Sequence, residues 1–404
     1  AVKVTGTSPP PDRSILSATR TDTPLVDVPQ SVAVVSREVI EAQRMSTMAD
    51  VVRYVPGITM HQGENNRDQV VIRGNSSSAD FYVNGVRDDV QYYRDLYNVE
   101  RVEALKGPNG MIFGRGGGGG VINRVTKDAH FDRTGEMVLQ AGSYGQRRFS
   151  ADVNHALTSR VAARLNAVVE DADSFRDGVG LQRYGVAPTF TVVPTDRVRM
   201  TVGYEHFHDK RTADRGIPSY RGRPLDVSPS RYFGNAADAP VYANVDLLTT
   251  LVEHRRGAWT LRNRANVAAY DRGYQNYVPG AVSDDRSTVA ITAYNNRTRR
   301  VNVFNQTDVL RTVATHGVTH RLLLGAEAGR QQSENLCLTG YFGGSSTQML
   351  QPLATAAVWP SVVYRASPTD ADNLVRTSVA ALYLQDQAEL SKAVQLVGGL
   401  RADR

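Results

Sequence analysis

From about Gly135 onward, apolar and polar residues alternate in segment after segment, and no helical period intervenes. Phe149, Ala151 and Val153 alternate with Arg148, Ser150, Asp152 and Asn154. Val161, Ala163, Leu165, Ala167 and Val169 alternate with Arg164, Asn166 and Glu170. The same pattern returns at 198–205, 259–267 and 321–328. Period two marks a strand with two unlike faces. These segments run about nine to twelve residues, enough for a tilted strand to cross a bilayer, whereas sandwich strands run nearer five or six. Charges keep off the apolar parity, as lipid demands: a Lys or Arg facing mid-bilayer costs about 2–4 kcal/mol. The expected fold of this part is an antiparallel transmembrane β-barrel.

Connections follow the same logic. Short turns at 156–159, 194–196 and 256–257 alternate with long loops at 210–244, 273–285 and 333–374. Outer-membrane barrels show that asymmetry between periplasmic turns and outer loops. About eleven strands can be counted, against around 22 in barrels that hold an internal plug. An open half-sheet would leave two unpaired edges in lipid. The expectation is therefore an incomplete barrel, with about half of its strands absent from this sequence. Mean hydropathy is −0.36 and no apolar run approaches the length of a spanning helix, which excludes transmembrane helices but not a barrel.

The remaining composition narrows function. Net charge is +6, with basic residues dispersed, so no nucleic-acid footprint is indicated. Cys337 is the one cysteine, so no internal disulfide can form. His206 and His208 share a strand face but lack a third ligand, so no metal site is assigned. No nucleophilic triad or paired-carboxylate arrangement can be placed, and no enzyme is expected.

Residues 68–127 read differently. Short β-type runs at 70–72, 81–83, 99–105 and 121–125 are separated by glycine turns, among them Asn84-Gly85, a tight-turn pair. Upstream, 32–35 reads as a strand, 37–43 as a helix with Ser36 as N-cap, and 48–54 as a second short helix before Pro56-Gly57. This describes a compact α+β domain. Gly114, Gly116 and Gly119 satisfy G-x-G-x-x-G by count, yet a strand follows where a phosphate-binding loop needs a helix. Close backbone approach explains the glycines better.

The motifs ERVEALKGP, MIFGRGGGGGVINRVTK, VVIRG and YVNGVR, with TPLVDVPQSVAVVSREVIEAQ and MADVVRYVPGI before them, resemble the plug domain of TonB-dependent outer-membrane receptors for ferric siderophores. DDVQYYRDLYN is most similar to the catecholate branch. The resemblance implies an N-terminal plug at 23–128, a flexible segment at 1–22 and a partial barrel at 129–404. It implies energy-coupled import of a ferric siderophore at the bacterial outer membrane, with outer-membrane lipid around the barrel. Iron would arrive held by its chelator, so no cofactor is needed. Val2, Lys3, Val4 and Thr5 stand where the family carries its TonB box, which pairs with an energy-transducing periplasmic protein by strand addition. Receptors for haem, cobalamin or oligosaccharide, and signal-transducing receptors, share the fold and stay open as alternatives.

The chemistry of the ligand selects candidate residues. A ferric catecholate is anionic and aromatic, so it needs cationic donors and flat faces. Arg87, Tyr92, Tyr93 and Arg94 offer both in one stretch. The resemblance places them beside an apex of the plug, with His61, Gln62 and Arg67 on a neighbouring apex and Ser78 and Asp80 on a third. Tyr232 and Phe233 lie deep in a long outer loop. By the same resemblance, Arg73, Lys106, Glu100 and Arg101 lock the plug to the barrel wall.

Overall fold

The computed structural model describes residues 14–404 apart from 16, 22, 62–63, 108–109, 115–117, 355–358 and 392. The expected TonB-contact residues Val2, Lys3, Val4 and Thr5, and the ligand candidate Gln62, lie outside the described residues.

Residues 31–126 build two small sheets. Strands β1 (Ser31–Ser36), β2 (Ile58–His61), β3 (Gln69–Ile72), β4 (Asn75–Ser77), β5 (Phe81–Val83), β6 (Val86–Arg87), β7 (Val99–Lys106) and β8 (Gly120–Thr126) follow in order. One sheet runs β1-β7-β8-β5-β6, the other β2-β3-β4. The β8–β5 pair is parallel and its neighbours are antiparallel. Helices α1 (Arg37–Ala42) and α2 (Met48–Val52) cover them. Ile40, Met48, Val51, Ile72, Phe81, Val102 and Ile122 close an apolar core.

The local signals behave unequally. Ser36 has the extended backbone of an N-cap, but its side chain makes no capping bond. Thr47 does cap, forming a reciprocal box with Asp50. Asn84 and Gly85 turn with φ of 51° and 82°, the mirror-image turn that this dipeptide favours. A Cβ on Gly119 would strike the Ile72 carbonyl oxygen, and one on Gly120 that of Leu105. These glycines therefore serve close packing, and β8 follows them, as expected.

Eleven strands then pair each with the next in sequence order: β9 (Thr134–Ala141), β10 (Arg147–Thr158), β11 (Val161–Asp173), β12 (Gly180–Thr195), β13 (Val198–Thr212), β14 (Pro240–Arg256), β15 (Trp259–Val282), β16 (Thr288–Thr315), β17 (Val318–Phe342), β18 (Asp372–Ser391) and β19 (Val394–Asp403). Every pairing is antiparallel. Along β11, Leu165 and Val169 are exposed while Asn166 and Glu170 are buried. Phe190, Val202, Val267, Val303 and Leu324 continue the exposed apolar face; Thr191, Glu205, Asn266, Asn302 and Gln306 continue the buried polar one. The apolar face is the one turned away from protein, the arrangement that lipid selects.

Three expectations need correction. The long loops at 210–244, 273–285 and 333–374 are shorter than the sequence suggests. Strands β13, β15 and β17 run on to Thr212, Val282 and Phe342, and β16 reaches 28 residues. Beyond the bilayer both faces of a hairpin meet water or protein, so the alternation fades while the backbone ladder continues. Residues 17–21, expected to be loose, are buried. The Arg20 guanidinium donates to the Ile112 carbonyl, Gln306 and the Tyr383 hydroxyl, while Gln385 donates to the Thr19 carbonyl. The polar face is also not wholly polar: Val168, Phe207, Leu247 and Tyr270 pack against Val83, Tyr92 and Tyr97 of the first domain.

Candidate ligand site at the plug apex

The loop between β2 and β3 forms one apex. Glu64 and Asn65 both adopt left-handed backbone, with φ of 36° and 54°. That places the Glu64 carboxylate against the wall. The Tyr294 hydroxyl donates to its Oε1 at 2.9 Å and the Tyr274 hydroxyl to its Oε2 at 3.3 Å. Arg67 Nη1 lies 3.0 Å from Oε2, and Arg215 Nη1 lies 3.4 Å from Oε1. Burial would raise the Glu64 carboxyl, but hydrogen bonds from Arg67 and Tyr294 and the two arginine charges hold it below the usual carboxylate range.

Beside this loop, a cavity of about 680 Å³ is lined by His61, Asp68, Tyr93, Arg183 and Arg211, among others. Tyr93 is half-buried; its hydroxyl donates to Asn65 Oδ1 at 3.0 Å. The Arg211 guanidinium lies 3.8 Å from the centroid of the Tyr93 ring. His61 is exposed at the end of β2. So His61, Arg67 and Tyr93 do come together, and they meet wall residues Arg211, Tyr274 and Tyr294. Ser78 accepts from Gln91 at 2.9 Å, and Gln91 in turn accepts from Arg272 of the wall at 2.8 Å. Asp80 is half-buried and its carbonyl accepts from the Ile122 amide. Arg87 lies over the Tyr82 ring at 5.3 Å.

Other candidates are spent on structure. Arg94 is 1% exposed and stacks between Phe81 and Tyr92, 4.1 and 4.3 Å from their centroids. Its guanidinium donates to the Asp88 carboxylate at 2.9 Å and to the carbonyls of Asp88 and Val90. The Tyr92 hydroxyl donates to Asp88 and accepts from Arg124, and its ring faces Tyr270 of the wall. Neither side chain is open to a ligand, because burying a charge or a phenol requires partners that then occupy it. Asp68 shows the cost of that enclosure: burial pushes its carboxyl up to about 6, although Arg94 is close. Phe233 is enclosed with Tyr277, Ile291 and Phe342 in an apolar cluster of the outer hairpins. Tyr232 is half-buried and donates to the Ala213 carbonyl at 2.6 Å.

The locking residues also differ from expectation. Among the described residues, Lys106 donates to the Pro56 carbonyl and Arg101 pairs with Glu103, both within the first domain. Arg73 is exposed; Glu100 is half-buried, and its charge acts on Arg164 of the wall. The direct ion pairs of the clasp lie elsewhere. Asp95 accepts both Nη atoms of Arg148 at 2.7 and 2.8 Å and Arg183 Nη1 at 2.9 Å, while Glu170 joins the same two arginines. Burial would raise Asp95, but the two guanidinium groups hold it down at about 2. Asp89 pairs with Arg300 at 2.6 Å, and Lys127 with Asp152 at 2.6 Å. Arg148, Arg183 and Asp152 sit on the polar parity of their strands, so their face was legible, whereas their partners were not.

His206 and His208 point outward; their Nδ1 atoms contact Asp246 and Asn244. No group of three metal-ligating side chains occurs among the described residues.

Comparison with known proteins agrees with this architecture. The family model for the TonB-dependent Receptor Plug Domain matches residues 24–121. The catecholate siderophore receptor Fiu of Escherichia coli O6:H1 is 28% identical over 94% of this chain and 53% of its own length. The metal-pseudopaline receptor CntO of Pseudomonas aeruginosa is 30% identical over 96% of this chain and 55% of its own. The chain thus spans about half the length of the relatives it matches. Among solved structures, the siderophore receptor PiuA from Acinetobacter baumannii superposes with a TM-score of 0.84 at 25% identity, covering 94% of this chain and 58% of that one. The open form of Fiu from E. coli K12 gives 0.80 at 26%, covering 95% and 61%. A plug packed on the polar face of a lipid-type β-wall is matched in sequence and in shape: residues 24–121 carry the plug domain of TonB-dependent receptors, and the chain as a whole is similar to siderophore receptors over about half of their length.

Proposed function

We propose that this receptor imports ferric siderophore complexes of catecholate type across the outer membrane. The observation that carries the reading is the alignment of nearly the whole chain with Fiu, whose name specifies a catecholate siderophore. The apex chemistry supports it. Tyr93 supplies a ring, Arg211 stacks on it, and His61 and Arg67 stand nearby, so an anionic aromatic solute finds both charge and flat surface. An Arg near 4 Å from such an anion contributes about 4 kcal/mol per unit charge at an effective dielectric of 20, before desolvation. The working ligand set is His61, Gln62, Arg67, Ser78, Asp80, Arg87, Tyr93 and Tyr232. Tyr92, Arg94 and Phe233 are left out because they are enclosed.

In this reading residues 23–128 form the plug, 129–404 belong to the barrel, and lipid covers its apolar face. A TonB-type protein takes up Val2–Thr5 by strand addition, where backbone hydrogen bonds tolerate varied sequence. Energy comes from such a partner in this reading, since the outer membrane has no ATP of its own.

The test is growth of an iron-starved strain that lacks its own receptors, carrying the full-length gene and fed one chelate at a time. Rescue by ferric catecholates and not by haem or hydroxamates is expected. Equal rescue by every chelate, or by none, sinks the proposal. The similarity to CntO favours a second reading, a metal complex of another chelator class. Rescue by such a complex alone would replace catecholate.

A further inference from the structure

We propose that the Glu64 carboxylate is a built-in stand-in for an anionic group of the incoming solute, which expels it from its ring of donors. The inference deepens the uptake reading and rests on it in part. The ring has four members from three separate places: Arg67 on the apex, Arg215 on the connection between β13 and β14, and Tyr274 and Tyr294 on the wall. They are donors of the kind an anionic chelate needs, and an acid of the protein already fills them. The Glu64 side chain is 32% exposed, so a solute can reach it.

The ring also offers more than one carboxylate can use. Arg67 Nε, Asn66 Nδ2 and Asn276 Nδ2 are buried and make no hydrogen bond among the described residues. Asn276 is wholly enclosed and stands opposite Tyr294 in the β15–β16 register. Unpaired donors around a bound carboxylate indicate a site shaped for an anion with more oxygens. Glu64 and Asn65 are held in left-handed backbone, which a non-glycine residue adopts reluctantly. Expulsion lets that backbone relax. Asn65 also holds the Tyr93 hydroxyl, and Asp68 holds the Arg94 amide at 2.9 Å. Release at Glu64 therefore has a short covalent and hydrogen-bonded route into the plug interior.

The experiment uses the full-length receptor in detergent, wild type and Glu64→Gln, with two probes. Inorganic pyrophosphate, followed by thermal shift, reports the anion site alone. A trianionic ferric tris-catecholate, followed by fluorescence quenching, reports the uptake ligand. Removing the competing acid is expected to tighten both by about tenfold. Adding Arg215→Gln or Tyr294→Phe to Glu64→Gln should erase the gain. A variant that binds pyrophosphate no more tightly than wild type overturns the stand-in. Should Glu64→Gln fail to insert, Glu64→Ser gives the same reading. A gain for pyrophosphate without any chelate binding keeps the anion site and removes the siderophore proposal.

Discussion

The plug and the barrel wall use the same residue types in opposite senses. In the plug, Ile72, Phe81, Val102 and Ile122 point inward while Arg44, Arg53 and Arg73 stay exposed. In the wall, Leu165, Val202, Val303 and Leu324 point outward and Asn166, Glu205 and Gln306 point in. The plug answers to water and the wall answers to lipid, so each hides its less soluble side from its own solvent. Where the two meet, ion pairs join the apolar patch around Val83, Tyr92 and Tyr97: Asp95 with Arg148 and Arg183, Asp89 with Arg300, Lys127 with Asp152. The lesson is that the apolar patch supplies adhesion without direction, whereas the ion pairs beside it fix one register.

The largest test of this contrast is in the plug. Phe81→Ala should cost about 3–5 kcal/mol, since it empties a closed core. Protease should then cut the plug of the full-length receptor while the barrel keeps its heat-modifiable gel migration. Loss of both together would deny that the two regions are stabilised separately. Leu165→Arg comes next, at about 2–4 kcal/mol in a bilayer because the charge faces lipid. A variant as stable as wild type in lipid vesicles would mean that this face is not the lipid face.

Acid should act on the seam. The Asp95 carboxyl is held at about 2 against a free value of 3.8. A depressed carboxyl contributes stability that is present above the free value and lost as pH falls through the folded one. Hydrogen exchange around residues 95–98 should therefore quicken as pH falls from about 4 to about 2, beyond the intrinsic trend. The step should be absent in Asp95→Asn, and its persistence there would assign it to another acid. The smallest effect is expected at Thr47→Ala, which removes the cap of α2 and should lower plug stability by about 1 kcal/mol. A change below the error of a denaturant titration would show that Asp50 alone suffices.

The sequence was most legible where one solvent dominates. Period-two alternation located the wall because every second residue meets lipid, and glycine turns located the plug because positive φ restricts residue choice at Asn84-Gly85. It was least legible where two bodies meet. Asp95 and Arg148 lie 53 positions apart, and no local pattern couples them. Arg94 and Tyr92 were drawn into the ligand set because their chemistry suits an anion, yet the same chemistry suits the buried Asp88. Phe233 and the outer hairpins were misread for a third reason. Above the membrane both sides of a strand share one environment, so the sequence loses its beat while the fold does not. Glu64 escaped notice because a lone acid in a polar loop carries no signal until Arg215, Tyr274 and Tyr294 converge on it from distant segments.

The overshoot of the hairpins has a mechanical consequence. At about 3.4 Å per residue, the 28-residue strand β16 is about 95 Å long, far more than the ~25 Å apolar band it crosses even when steeply tilted. What rises from the cell surface is thus a stiff palisade of paired backbone rather than a fringe of slack coils. An antibody raised against the native receptor should grip that scaffold in its folded geometry and lose its hold on boiled protein.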